Sequence, residues 1–112
     1  MKKVIIVSIA LFLSTISFGQ IVYQPKSDTA CSGDFTFFKT TVAYPNPSYQ
    51  WQKWNGTIWV NLTNVSPFSG VMDSILVLNP VTDTLNNSFF RCKIDTNAVF
   101  FKNSDSAVLT VL

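Results

Sequence analysis

Two cysteines, Cys31 and Cys92, bracket Trp51 in a chain of 112 residues, and this spacing constrains the fold more than any other feature. An even cysteine count in an exported protein favours a disulfide, so a bond between Cys31 and Cys92 is the default expectation. Such a bond would close a loop of about 60 residues and contribute roughly 4 kcal/mol through the entropy of the unfolded chain. Two thiols are too few for a cysteine-only metal site, and redox use would normally show a CxxC spacing.

The first 19 residues have the features of an export signal. Two lysines precede an apolar run at 4–16, and a small-x-small cleavage site follows at 17–19. The apolar run is shorter than the ~20 residues that a membrane-spanning helix needs, so we interpret it as a signal peptide. The predicted organisation is therefore a signal peptide at 1–19 and one small domain at 20–112, exported to the cell surface, the medium or the periplasm.

The composition of the exported part argues against several functions. Once the two leader lysines are removed, six basic residues balance six aspartates, so neither nucleic acid nor an anionic membrane is expected as partner. The chain has no histidine and no glutamate, which excludes Ser-His-Asp and Cys-His catalysis. The aspartates are scattered singly, without the clustering that calcium requires. We therefore expect no enzymatic activity, no metal and no cofactor.

Short runs rich in Val, Ile, Thr and aromatic residues alternate with clusters of Asn, Asp, Ser, Gly and Pro, which predicts an all-β fold of about seven strands. Asn55-Gly56 predicts a two-residue hairpin turn. The predicted strands include an edge strand at 21–24 and further strands at 48–54, 57–62, 74–78, 89–94 and 106–112.

In the segment after Cys31, the set of alternate residues that is predicted to face the core changes along the chain. Apolar residues of one parity run as far as Phe37 and then continue on the other parity, so we expect a β-bulge at Phe37-Phe38. The residues assigned to the core are Cys31, Gly33, Phe35 and Phe37 before the bulge, and Thr40 and Val42 after it.

Several short motifs follow one another in a fixed order along the domain. They are Cys31-Ser32-Gly33, Tyr49-Gln50-Trp51-Gln52, Trp59 with Leu62, Ser69-Gly70, Leu76-Val77-Leu78, Phe89-Phe90-Arg91-Cys92 and the segment 104–111. In this order they resemble the immunoglobulin-like domains of exported bacterial proteins, and the leader ending at Gln20 resembles those of Gram-negative bacteria with type IX secretion. The resemblance implies an antiparallel two-sheet sandwich whose disulfide joins the sheets, with Trp51 and Phe90 in the core over it. Phe90 stands where many such domains have a corner tyrosine.

The resemblance also implies a non-catalytic module for binding, adhesion or spacing at the cell surface, with a protein or a glycan as partner. Trp59 is expected in the core or half-buried, whereas Trp54 has the opposite parity from Trp51 and should lie on the outer face. The alternatives are a carbohydrate-binding module around Trp54, or a cluster in which Trp54 only packs on the alkyl stems of neighbouring cations. The chain ends with the last predicted strand, so we expect a stand-alone module or a piece of a larger protein. The candidate ligand face consists of Gln50, Gln52, Trp54, Phe89, Arg91 and Lys93.

Overall fold

The computed structural model describes residues 20–96 and 101–112, which form eleven short strands and one 3-10 turn at Asp83–Leu85. The signal peptide predicted at 1–19 lies outside the described residues. The strands are β1 (Ile21–Tyr23), β2 (Asp28–Ala30), β3 (Thr36–Lys39), β4 (Thr41–Val42), β5 (Ser48–Trp54), β6 (Trp59–Asn61), β7 (Phe68–Ser69), β8 (Ile75–Leu78), β9 (Ser88–Asp95), β10 (Phe101–Asn103) and β11 (Ala107–Val111).

The strands form two main sheets whose inner faces pack on each other. The larger sheet has the order β2-β11-β9-β5-β6, with β10 paired to β9, and the smaller has the order β3-β8-β7. Strands β1 and β4 form a separate pair. Within the described segments every pairing is antiparallel except that of β2 with β11. The prediction of an all-β sandwich is confirmed.

The prediction of about seven strands was wrong, because expected long strands are interrupted and short ones were missed. Pro25 has no N–H to donate and follows β1, so that β1 and β2 join different sheets. Thr40 separates β3 from β4: its hydroxyl donates to the carbonyl of Tyr23 at 2.9 Å, and its N–H donates to the carbonyl of Ser74 at 3.0 Å. Strands β7 and β10 lie where no strand was expected.

The core consists of apolar side chains from both main sheets, with large aromatic rings at its centre. The ring of Phe38 on β3 stacks on that of Phe90 on β9, with centroids 5.3 Å apart and planes inclined by 29°. Phe68 meets Phe90 edge-on at 6.1 Å. Trp51 is fully buried, and its indole N–H donates to the carbonyl of Asp73 at 2.8 Å, so its one polar atom is satisfied. The two sheets therefore meet through aromatic packing.

Strand β3 faces the core with the parity opposite to the predicted one. Phe38 is 1% exposed, whereas Phe35 and Phe37 are 64% and 53% exposed. Phe38 lies opposite the fully buried Leu76 of β8, and residues directly opposite in an antiparallel pair share a face. This register is unbroken along β3, so the bulge predicted at Phe37-Phe38 is absent.

The predicted disulfide was also wrong, since Cys31 and Cys92 are both free and lie beyond disulfide distance. Cys31 directly follows β2, and Cys92 belongs to β9 of the same sheet, with β11 between these strands. Neighbouring strands are about 4.8 Å apart, so two spacings exceed the ~4.4–6.8 Å between Cα atoms that a disulfide allows. The family resemblance implied that Cys31 lies on the sheet opposite to that of Cys92. In the structure, the buried Phe38 of β3 fills the core from that opposite, smaller sheet.

Truncation of Phe38 should destabilise the domain far more than truncation of its neighbour Phe37. Phe38→Ala removes a buried ring and leaves a cavity between the sheets, so we expect a loss of about 3–5 kcal/mol in the free energy of unfolding. Phe37→Ala is the matched control and should change it by less than ~0.5 kcal/mol, because this ring lies in solvent. Urea denaturation followed by tryptophan fluorescence measures both. Equal losses in the free energy of unfolding of the two variants would contradict the conclusion that β3 directs Phe38, and not Phe37, into the core.

The two thiols should differ sharply in reactivity. Cys31 is exposed, whereas Cys92 is fully buried, and burial raises the pKa of the Cys92 thiol to about 12. Iodoacetamide at pH 8, without reductant, should therefore add one label to the native domain and a second only in guanidinium chloride. The control Cys31→Ser should take up no label when native and one when unfolded. Intact mass measures the uptake of label. If the unfolded wild-type protein accepted no label, Cys31 and Cys92 would be joined in a disulfide, contrary to the structure.

Candidate functional site

Three aromatic side chains form a row across the outer face of the large sheet, hereafter the aromatic row. Trp54 on β5 pairs with Trp59 on β6, and their ring centroids lie 5.5 Å apart. The register that pairs Lys53 with Phe90 brings Trp54 next to Phe89 on β9. The row lines an open groove of about 290 Å³, and Trp54 and Phe89 remain 37% and 44% exposed. The outer face therefore offers an apolar recess to solvent.

A hydrogen-bonded group of polar side chains borders the aromatic row. The amide nitrogen of Gln52 donates to Oδ1 of Asn61 at 2.8 Å, and Nε of Arg91 donates to Oε1 of Gln52 at 2.9 Å. The guanidinium of Arg91 also lies 4.5 Å from the centroid of Trp59, at cation–π distance. Because each side chain restrains the next, the ring of Trp59 and the charge of Arg91 are held in place before any ligand binds.

Two cations of β9, Arg91 and Lys93, lie on the same face as the aromatic row, and Asp95 follows them on that strand. Partial burial lowers the pKa of Arg91 from its usual value, but an arginine remains protonated at neutral pH. Lys93 lies one row further along β9, with its ammonium 4.8 Å from the ring centroid of Phe101. The aromatic row is thus bordered on one side by positive charge.

The structure separates the six predicted ligand-face residues into three groups. Trp54, Phe89 and Arg91 come together at the groove. Gln52 is buried and positions Arg91 instead of meeting solvent. Gln50 and Lys93 pair with each other away from the aromatic row, and the amide of Gln50 donates to two backbone carbonyls.

Sequence reasoning missed Trp59 and Asn61 as members of this surface. Trp59 was expected in the core or half-buried, and it is half-buried on the outer face, opposite Trp54. The predicted two-residue turn is a connection of four residues at 55–58, in which Oδ1 of Asn55 accepts two backbone N–H groups. The sequence already contained a signal for this position. The predicted two-residue turn and the observed four-residue connection pair β5 with β6 in registers that differ by an even number of residues, and residues an even number apart on a strand share a face. Either connection therefore puts Trp59 on the same face as Trp54.

The described residues hold neither a metal-binding cluster nor a membrane-spanning helix. Across residues 20–96 and 101–112, no three His, Cys, Asp or Glu side chains lie close enough together to hold a metal ion. In the same segments no helix is long and apolar enough to cross a membrane.

The sequence matches no protein-family model and no curated protein, but the fold is shared with solved structures. The N-terminal Ig1-2 module of a Drosophila receptor protein tyrosine phosphatase is 20% identical, with a TM-score of 0.67 over 86% of this chain. The chain spans 50% of that structure.

Two further similar structures are complexes. A chain of the complex between titin M10 and a mutant obscurin-like 1 Ig domain is 23% identical, with a TM-score of 0.68 over 86% of this chain and 94% of that one. A chain of Dpr1 IG1 bound to DIP-eta IG1 is 14% identical, with a TM-score of 0.65 over 87% of this chain and 98% of that one. At these identities the likeness establishes the fold, and the described residues have an immunoglobulin-like fold.

Proposed function

We propose that this chain is a non-catalytic, exported binding module of the cell surface, and that the aromatic row is its protein-binding surface. The observation that carries the proposal is the open groove lined by Trp54, Trp59 and Phe89. Aromatic side chains and arginine are the residues that most often dominate the energy of protein interfaces. Arg91, held over Trp59, supplies the second of these at the groove itself.

The geometry of the aromatic row favours a protein over a sugar. The planes of Trp54 and Trp59 are inclined by 59°, so the two rings do not form a flat platform for a sugar ring. One face of Trp59 is already occupied by the guanidinium of Arg91. A recess between inclined rings instead suits an apolar side chain of a partner. The adjacent cations favour a partner with a carboxylate beside that side chain.

The similar structures are consistent with this assignment. Titin M10 with obscurin-like 1, and Dpr1 with DIP-eta, are complexes between immunoglobulin-type chains. The fold therefore serves as a protein-binding scaffold in those proteins, and we extend that use to this chain.

Export and cell-surface location belong to the same proposal. They rest on the signal-peptide features of residues 1–19 and on the near-zero charge of the segment that follows. The resemblance of the leader, which ends at Gln20, to those of Gram-negative bacteria with type IX secretion supports such a host. In such a host the domain would act in adhesion or as a spacer that also binds.

A carbohydrate-binding module is the second candidate. It is favoured by the position of Asn61 and Arg91 at the border of the aromatic row, because amide and guanidinium groups donate hydrogen bonds to sugar hydroxyls. In this case Trp54 alone would supply the stacking surface.

Replacement of Trp54 should weaken partner binding without unfolding the domain. We expect Trp54→Ala to weaken binding at least tenfold, since it removes the central ring of the groove. The control is Phe35→Ala, which removes a more exposed aromatic ring outside the aromatic row, and it should bind like wild type. The measurement is biolayer interferometry of wild type and both variants against an array of surface proteins from the host and against a glycan array.

Three outcomes would decide between the candidate functions. Protein binding that is lost only in Trp54→Ala supports the proposal. Glycan binding lost only in that variant replaces it with the carbohydrate module. Equal binding by Trp54→Ala and Phe35→Ala, or no binding on either array, contradicts a role for the aromatic row and leaves a spacer.

A further inference from the structure

A second cleft lies where β1, β2 and β3 meet, away from the aromatic row. It has a volume of about 390 Å³, within the range of about 300–1,000 Å³ that is typical of small-molecule sites. Its lining combines aromatic rings, two lysines and hydroxyl and carboxylate groups. The lining residues are Tyr23, Lys26, Ser27, Asp28, Phe37, Phe38 and Lys39.

Two ammonium groups converge on a single ring in this cleft. Nζ of Lys26 lies 5.4 Å from the ring centroid of Tyr23, and Nζ of Lys39 lies 5.3 Å from it. The ring attracts both cations, and both lysines line the cleft. Neither lysine has a carboxylate within ion-pair distance among the described residues. The cleft therefore offers two cations with which an anion can pair.

The remaining lining groups suit a sugar. The ring of Phe37 is exposed and offers an apolar surface for the C–H face of a pyranose. Oγ of Ser27 accepts the N–H of Val108 at 3.0 Å, which leaves the Ser27 hydroxyl hydrogen free to donate. Oδ2 of Asp28 accepts a hydrogen bond from Thr36, and its other oxygen can accept one from a ligand hydroxyl.

We propose that this cleft binds an acidic saccharide, with a carboxylate or sulfate between Lys26 and Lys39 and the sugar ring on Phe37. The charges of the lining sum to one net positive charge, because Asp28 offsets one lysine. This balance fits a singly charged sugar unit better than a polyphosphate. A neutral sugar would leave both ammonium groups unpaired.

The test is a titration of the isotope-labelled domain, followed by NMR, with three probes. A hyaluronan tetrasaccharide carries glucuronate carboxylates. Fully N-acetylated chitotetraose, hereafter chitotetraose, is a neutral oligosaccharide of the same length, and sodium sulfate supplies an anion without a ring. We expect the hyaluronan probe to bind, with the largest shifts at the amides of Tyr23, Ser27 and Lys39. Chitotetraose and sulfate should each bind at least tenfold more weakly.

Charge-matched variants identify the groups responsible. The double variant Lys26→Gln/Lys39→Gln should weaken hyaluronan binding at least tenfold, because it removes both cations of the cleft. The control Lys53→Gln/Lys102→Gln loses the same charge outside the cleft and should bind within twofold of wild type. Amide shifts near Tyr23, Ser27 and Lys39, with none near Trp54, Trp59 and Phe89, would separate this cleft from the aromatic row.

Any of three results would overturn the proposal. One is equal weakening in the two double variants, which would indicate only a general effect of charge. Another is binding of chitotetraose as tight as that of hyaluronan. The third is sulfate binding as tight as that of hyaluronan, which would identify a simple anion site.

Discussion

The stacking of Phe38 on Phe90 is the contact on which the rest of the domain depends, because it joins the two main sheets across the core. Phe38 comes from the smaller sheet and Phe90 from the larger one, beside the fully buried Trp51. Each such ring buries about 150–250 Å², worth roughly 4–6 kcal/mol at about 25 cal/mol per Å². A native disulfide is worth a comparable ~2–5 kcal/mol. The aromatic packing therefore supplies a stabilisation comparable to that of the missing disulfide.

The same packing fixes the position of the candidate binding surface. Side chains alternate between the two faces of a strand, so the burial of Trp51 and Phe90 directs Trp54 and Phe89 outward. The register between β5 and β9 then places these two residues side by side. The aromatic row is therefore a consequence of how the core is filled, and Gln52, on the same outer face, holds Arg91 beside it.

Sequence reasoning succeeded where alternation was strict and failed where long-range register decides. Strand β9 alternates strictly between buried and more exposed residues. On β5, Trp54 is an odd number of residues from the buried Trp51, so its outward position followed from that distance. Both parities of β3 carry phenylalanine, so only the pairing with β8 shows that Phe38 is the buried one. Counting cysteines said nothing about the sheet to which Cys31 belongs. The cleft of Lys26 and Lys39 has no local sequence pattern, because it arises where three strands meet.

The most direct test of this account is the free energy of unfolding measured with and without reductant. Guanidinium denaturation of the dilute domain, in plain buffer and in a phosphine reductant, gives both values on one preparation. We predict values equal within ~0.5 kcal/mol, since no covalent bond between Cys31 and Cys92 contributes. A decrease of about 2–5 kcal/mol in reductant would show that a disulfide holds the sheets, and would contradict the account.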